Sequence, residues 1–346
     1  MDFAAGTISA AELKAVEDKL ITELVAKQKA AGLHVITDGE FRRGWWHFDF
    51  MWGFNGVDHA AAAHRVAFHD EVTPADTATV TGKISGENHP FVEHFKFVKQ
   101  FEDENTVARQ TMPSPAQTRF VLTGNASAYP YDEFYGNDDE LTDDIVAAYR
   151  RVIADLYAAG CRNVQFDDCT WTRLCDRSVR ERLGWSDEDA LRLQQENLDV
   201  INAVIADQPD DLVITTHVCR GNFHSTWLSS GGYAPVSAKL FGEEHVDAYY
   251  LEFDDDRSGD FAPLAEVSGD KKVVLGLITS KKPDLEDLET IKARIREASQ
   301  YVPLDRLCLS TQCGFASTEE GNKLTEDQQW AKIALVQSVA KDVWGD

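Results

Sequence analysis

The feature that most constrains this chain is a regular alternation of strand-like and helix-like segments over most of its length. Short runs rich in β-branched and aromatic residues alternate with longer runs whose apolar residues recur at the helical period. The strand-like runs cover residues 33–41, 106–112, 163–168, 211–218, 246–253, 271–279 and 305–313. The helix-like runs cover residues 138–159, 177–207, 234–242, 284–300 and 325–343. This order predicts a parallel sheet whose strands are joined by right-handed helical crossovers.

The number of strands predicts an α/β fold of the (β/α)8 TIM barrel type that lacks its first N-terminal strand. Such a barrel needs eight strands, whereas seven strand-like runs are present and the chain begins with a helix. Residues 55–105 interrupt the alternation and are interpreted as an insertion. Because no repeat, low-complexity tract or linker divides the sequence, residues 1–346 are expected to form one domain that contains this insertion.

Two helix starts and two apolar faces can be assigned from local patterns. A capping box pairs a Ser or Thr with a Glu or Gln three residues later. Such boxes occur at Ser9 with Glu12 and at Thr325 with Gln328. The predicted buried faces are Leu13, Val16, Leu20 and Leu24 in the first helix and Phe91, Phe95 and Val98 in a helix of the insertion.

The composition argues against several classes of partner and location. A net charge of −25 repels nucleic-acid phosphates and anionic lipid surfaces, so neither nucleic acid nor membrane is an expected partner. No apolar run approaches the roughly 20 residues that span a bilayer, and the N-terminus does not resemble a secretory signal. These features predict a cytoplasmic protein. The six cysteines include no CxxC pair and are expected to be free thiols.

Polar residues follow the predicted strands at the end where barrel enzymes carry their active sites. His217 and Cys219 lie at the end of one strand, Glu252 ends the next, and Cys313 ends the last. Two thiolates, an imidazole and a carboxylate form a plausible tetrahedral zinc set, and the thiolates discriminate against magnesium and calcium. Further candidates at the same ends are Asp38, Glu40, Arg42, Arg43, Trp45, Trp46, His47, Asp167, Asp168 and Trp171.

Each of these signals also has a purely structural interpretation. A His-x-Cys pair is common by chance, and Cys313 could be a small residue at a strand end. Glu252 could pair with Arg257, and Asp167 and Asp168 could cap the following segment. The coincidence of four candidate ligands at one end of the strands favours zinc.

Five ordered motifs also carry a family resemblance. They are TDGEFRRGWWHFDF, VQFDDCTW, THVCRGNFHSTW, YYLEFDDDRSGDFAPL and LSTQCGFAST. Together they resemble the cobalamin-independent methionine synthase family, most closely its short single-barrel members. The resemblance implies a barrel with Zn²⁺ at its mouth. By the same resemblance, the zinc ligands are His217, Cys219, Glu252 and Cys313, and the carboxylates that bind the homocysteine amino group are Glu40 and Asp167.

The resemblance implies an enzyme that transfers a methyl group to a zinc-bound thiol, with homocysteine as the first candidate and methionine as the product. Its partners would be the small-molecule thiol and a methyl donor. Two departures from the family pattern are visible. The family's histidine proton donor is replaced by the segment TSKKPD, which places Lys281 or Lys282 nearby and leaves the catalytic acid unassigned. The family's first strand, with its HVGS motif, precedes the point where this sequence starts.

Two other functions remain open at this stage. One is a related zinc alkyl transferase of the epoxyalkane–coenzyme M type, although its sulfonate substrate would prefer cations where Glu40 and Asp167 lie. The other is a zinc- or homocysteine-binding protein without turnover. The sequence leaves open whether the donor is a folate, a methylated corrinoid protein or a small methyl-sulfur compound. It also leaves open the oligomeric state and whether the absent strand reflects a misassigned start, a shortened chain or a real loss.

Overall fold

The parallel sheet is the framework of the molecule, whose computed structural model describes residues 6–62, 65–123 and 131–345. The strands are β1 (Val35–Ile36), β2 (Asn55–Ala61), β3 (Asp76–Ser85), β4 (Val107–Ala108), β5 (Gln110–Pro113), β6 (Asn163–Asp168), β7 (Val213–Val218), β8 (Ala248–Glu252), β9 (Lys272–Ile278) and β10 (Leu307–Thr311). Six of them form a parallel sheet in the order β10-β9-β8-β7-β6-β5, and β1 pairs in parallel with β4. The predicted α/β class with a parallel sheet is confirmed.

All seven predicted strand regions contain a strand, with one internal break. The run 106–112 divides at Arg109, so that β4 pairs with β1 while β5 pairs with β6. The amide of Arg109 still donates to the carbonyl of Ile36, at 3.0 Å. Strand pairing between β10 and β1 is absent from the described residues, so each of these strands has one free edge.

The helices cover the outside of the sheet in the order expected for a barrel. They are α1 (Ala10–Ala30), α2 (Phe48–Met51), α3 (Phe91–Lys99), α4 (Pro115–Thr123), α5 (Asp138–Ala158), α6 (Thr170–Cys175), α7 (Arg177–Leu183), α8 (Asp187–Ile205), α9 (Ser237–Glu243), α10 (Leu288–Ala298) and α11 (Glu326–Trp344). Both predicted capping boxes are present, at the starts of α1 and α11. In the described part of the chain, no helix combines the length and apolar character needed to cross a membrane.

Two expectations about helices were wrong. The run 177–207 is two helices, because Gly184 ends α7 in a left-handed conformation and Ser186 caps α8. The predicted buried face of α1 is also wrong: Val16 is 52% exposed and Leu20 is 42% exposed. The buried residues of α1 are Ile21, Val25 and Gln28.

The insertion adds an antiparallel hairpin and a helix beside the sheet. Strands β2 and β3 pair with each other, whereas the sequence predicted no strands in this region. The helix predicted in the insertion is α3, and its expected face of Phe91, Phe95 and Val98 is buried. The long connection between β2 and β3 brings residues 65–74 over the carboxyl ends of the barrel strands.

Candidate functional site

Four side chains that could bind a metal converge at the carboxyl ends of β7, β8 and β10. His217 is in β7 and Cys219 directly follows that strand, Glu252 ends β8, and Cys313 lies two residues after β10. One ligand atom from each of these residues lies within 4.8 Å of the others, and the two sulfurs are 3.9 Å apart. Parallel pairing of adjacent strands places these ends together, as the sequence predicted.

Hydrogen bonds orient two of these side chains and leave one atom of each without a partner. The Nδ1 atom of His217 lies 3.1 Å from the carbonyl oxygen of Tyr250, while its buried Nε2 atom has no hydrogen-bond partner within the described ranges. The amide of Arg220 donates to Oε1 of Glu252 at 2.8 Å, while the buried Oε2 accepts no hydrogen bond from any described residue. Buried polar atoms normally have partners, so these two atoms, with two thiols beside them, fit a metal-binding group.

A tight turn after β7 supplies backbone N–H groups to the cluster. The amide of Gly221 donates to the sulfur of Cys219 at 3.3 Å, next to the Arg220 amide that binds Glu252. Gly221 has φ +89°, and a Cβ atom there would lie 2.6 Å from Cβ of Leu228. The turn therefore requires glycine, both for its conformation and for the close approach.

Neighbouring charges shift the pKa values of two cluster residues in opposite directions. The hydrogen bond from Cys219, together with the charge of His217, holds the pKa of Cys313 well below its usual value. Burial alone would lower the pKa of His217, but the charges of Cys313, Asp167 and Glu252 raise it to about 10. Because metal ligands must be deprotonated, a bound cation would favour the Cys313 thiolate and would displace the proton that these charges stabilise on His217.

A third thiol lies beside the cluster and was missed from the sequence. Hydrogen bonding to Cys169 and Cys313, together with burial, raises the pKa of Cys219 well above its usual value. Cys169 directly follows Asp168 at the end of β6, so its position at a strand end was the available signal. Asp168 itself has the structural role considered for it, because it accepts hydrogen bonds from the hydroxyl and the amide of Thr170.

Two carboxylates line the same cavity as the cluster, and polar side chains orient them. Glu40 accepts a hydrogen bond from the hydroxyl of Thr111 at 2.7 Å and forms an ion pair with Arg43 at 2.9 Å. Asp167 accepts a hydrogen bond from the side-chain amide of Gln165 at 2.8 Å. Burial raises the pKa of Asp167 to about 7; the charge of His217 opposes this shift and that of Glu40 adds to it.

The backbone at Glu40 is strained in a way that directs its side chain. Gly39 and Glu40 both have positive φ angles, of 63° and 62°. The Glu40 amide donates to Oδ1 of Asp38 at 2.8 Å, which stabilises the turn. A non-glycine residue in the left-handed region costs about 1–2 kcal/mol. Such strain is typical of functional positions.

His217, Cys219 and Cys313 of the cluster line one cavity of about 740 Å³ together with the two carboxylates. Part of its wall is an aromatic stack, in which His47 lies 4.4 Å from the ring of Trp46 and 3.8 Å from the ring of Phe48. Burial lowers the pKa of His47 to about 3, so its imidazole is neutral at physiological pH. The exposed leucine face of α1 reaches the same cavity through Leu20 and Leu24.

Residues 65–74 of the insertion, here called the lid, close one side of this cavity. The ring of Phe68 lies 5.4 Å from that of Phe223, and His69 stacks on Trp227 at 4.4 Å. Both partners belong to the loop that follows Cys219. Glu71 is 3.0 Å from Nδ1 of His224 and 2.9 Å from Nζ of Lys323. The lid is thus fastened by stacking and by one acidic side chain.

The fold and site define a class: an α/β chain of parallel-barrel type with a thiol-rich metal-binding group and two partly buried carboxylates beside it. Residues 97–340 match the family described as cobalamin-independent synthase, catalytic domain. The chain belongs to this family of methionine synthases, and it is a methyltransferase of that type.

Similar proteins agree with this assignment. The uncharacterized protein YxjH of Bacillus subtilis is 45% identical over 342 residues, which cover 99% of this chain and 89% of the relative. A Listeria monocytogenes protein described as a vitamin-B12 independent methionine synthase has a structure with a TM-score of 0.78 and 40% identity, covering 100% of this chain and 92% of its own. The 5-methyltetrahydropteroyltriglutamate–homocysteine methyltransferase of Cronobacter sakazakii is 24% identical over 91% of this chain and 38% of that protein.

Proposed function

We propose that this protein transfers a methyl group to the sulfur of homocysteine, bound to zinc, and forms methionine in the cytoplasm. The observation that carries the proposal is that His217, Cys219 and Cys313, which form one cluster with the buried Glu252, line the same cavity as Glu40 and Asp167. In this proposal the four cluster residues are the zinc ligands, and the two carboxylates bind the substrate ammonium.

The site residues divide the chemistry between them. A free thiol has a pKa near 8.5, so it is mostly protonated at neutral pH, and zinc coordination supplies the thiolate that acts as nucleophile. Glu40 and Asp167 fix the amino end of the substrate, so that its sulfur has one orientation toward the methyl donor. The neutral aromatic wall around His47 excludes water and leaves room in the cavity for that donor.

The two carboxylates also favour homocysteine over coenzyme M as the thiol substrate. Coenzyme M carries a sulfonate and lacks an ammonium group, so the two partly buried carboxylates would repel it. The name of the Cronobacter relative supports homocysteine as acceptor and a methylated folate as the first donor to test. A methylated corrinoid protein and small methyl-sulfur compounds are the other donors to compare.

The test combines metal analysis with a methionine assay on wild type, Cys219→Ser and Cys308→Ser. Cys308 is half-buried in β10 and outside the cluster, so C308S is the matched control. Wild type and C308S should contain zinc and form methionine from at least one donor, whereas C219S should lose both properties. Full zinc content and activity in C219S would refute the ligand assignment. Zinc and homocysteine binding without methionine from any donor would instead identify a non-catalytic binding protein.

A further inference from the structure

The loop after β9 buries a lysine beside the metal-binding group. The side chain of Lys281 is 4% exposed, and its Nζ atom lies 3.9 Å from Oε2 of Glu252, whose side chain is fully buried. Among the residues that the structure describes, neither Nζ nor Oε2 has a hydrogen-bond partner. In the described part of the chain, this is the one ion pair that Glu252 forms. The next residue, Lys282, is exposed.

The position of Lys281 is fixed by the same loops that carry the cluster. The hydroxyl of Ser280 donates to the carbonyl of Gly314 at 2.9 Å, one residue after Cys313. The side-chain amide of Asn322 donates to the carbonyl of Ser280 at 2.9 Å. The residue that precedes Lys281 is therefore held against the Cys313 loop, which keeps the ammonium close to Glu252.

Other charges nearby are already engaged. The guanidinium of Arg220 hydrogen-bonds the carbonyl of Gly231 and lies over the ring of Tyr233 at 4.4 Å. Asp254 is a second carboxylate with a buried side chain that interacts electrostatically with Lys281. It forms an ion pair with Arg257 at 3.6 Å. Among the described residues, Lys281 is the one whose cationic side chain lies within ion-pair distance of the Glu252 carboxylate.

The anchoring of Glu252 allows its free oxygen to change partners. Its Oε1 atom is held by the Arg220 amide, while Oε2 faces both the cluster and Lys281. When a thiolate joins a cation already held by two thiolates, the negative charge around the cation rises unless a ligand leaves. A carboxylate that leaves stays buried here, and a buried charge without a counter-ion is strongly unfavourable.

We propose that Lys281 is a positioning residue that holds the Glu252 carboxylate when a thiol substrate replaces it at the metal. The proposal rests on the proposed function, because it assumes a thiol that enters the cluster. If the cluster holds a metal, the substrate sulfur would become a ligand in place of the Glu252 carboxylate, and the thiol proton would pass to solvent through the cavity. The carboxylate keeps its charge and pairs with the ammonium of Lys281.

The test measures thiol binding and metal retention separately in wild type, Lys281→Met, Lys281→Arg and the control Lys282→Met. The cobalt(II)-loaded proteins are titrated with L-homocysteine and with 2-mercaptoethanol, and the sulfur-to-cobalt charge-transfer absorption reports sulfur binding. Metal retention without thiol is measured by competition with a chelator. K281M should bind both thiols about tenfold more weakly or worse, the direction expected when a buried carboxylate loses its counter-ion, and should retain the metal at least as well as wild type.

The other variants and outcomes complete the test. K281R should recover much of the thiol affinity, and K282M should match wild type. Unchanged thiol affinity in K281M would overturn the proposal, as would loss of metal from K281M before any thiol is added. A wild-type protein that binds 2-mercaptoethanol but not homocysteine would refute the proposed acceptor, and the 2-mercaptoethanol titration would still decide the role of Lys281. Failure of wild type to bind either thiol would overturn both.

Discussion

Glu40 combines a functional side chain with a strained backbone, and the two effects can be separated by substitution. Glu40→Gly and Glu40→Ala both remove the carboxylate, so both should raise the KM for homocysteine by about tenfold or more. Only glycine relieves the left-handed backbone at φ 62°. E40G should therefore be more stable than E40A by roughly 1 kcal/mol. Urea denaturation of the metal-free variants measures this difference. Equal stability would show that the turn is not strained at this residue.

Asp167 should make the stability of the metal-free protein depend on pH. Burial raises its pKa from 3.8 to about 7, so folding favours the protonated form. Stability from this group is full below pH 4 and is lost as the pH rises through 7. Asp167→Asn removes the charge, so D167N should gain stability relative to wild type between pH 5 and pH 8, by on the order of 1–3 kcal/mol.

Urea denaturation at those two pH values measures this gain. Asp305→Asn, at an exposed position, is the control and should follow wild type at both. If the stabilities of wild type and D167N change with pH in the same way, the raised pKa of Asp167 would be contradicted.

Only those site residues that lie at the carboxyl ends of predicted strands could be predicted from the sequence. His217, Cys219, Glu252 and Cys313 could be proposed together because parallel strands bring their carboxyl ends to one place. The roles of these four, and of Glu40 and Asp167, remain predictions. Cys169 follows the end of β6 and could have been found in the same way, whereas the contact between Lys281 and Glu252 could not. Proximity between side chains of different loops depends on packing that the sequence pattern does not specify.

At the scale of elements, the lid should open more often when the ion pairs of Glu71 are removed. Glu71 holds both His224 and Lys323, whereas its neighbour Asp70 is exposed and pairs with the adjacent His69. Glu71→Gln should therefore increase hydrogen–deuterium exchange of residues 65–74 about tenfold, while the control Asp70→Asn should leave it close to wild type. Identical exchange in E71Q and wild type would show that the aromatic contacts suffice to hold the lid.

The predictions for elements were most accurate where one local rule decided the structure. The buried strands from β6 to β9 and the capped starts of α1 and α11 follow directly from periodicity and capping. The long helical pattern of residues 177–207 predicts one helix, although Gly184 and Ser186 are signals for a break inside it. The face of α1 was wrong because Leu20 and Leu24 line a cavity rather than the core. The hairpin β2–β3 was missed because its pairing depends on contacts across a long connection.

For the whole molecule, the metal-binding group should act as a cross-link between barrel strands. It joins residues at the ends of β7, β8 and β10. Zinc at about 100-fold its Kd stabilises a folded protein by roughly 2.7 kcal/mol, and for a chain of 346 residues this raises Tm by about 4 °C. Differential scanning calorimetry with and without zinc should show this shift in wild type and C308S but not in C219S. An equal shift in C219S would place the zinc elsewhere.

The group of three thiols, Cys169, Cys219 and Cys313, has a further consequence for how the protein ages. Two of the sulfurs are 3.9 Å apart and the third shares a hydrogen bond with one of them, so a small movement would allow a disulfide to form. A bound metal would occupy the thiolates that oxidants attack first. Loss of metal and oxidation therefore affect the same cysteine sulfur atoms. If the metal-free protein is oxidised by air to a disulfide, it would not bind metal again until a reductant restores the thiols.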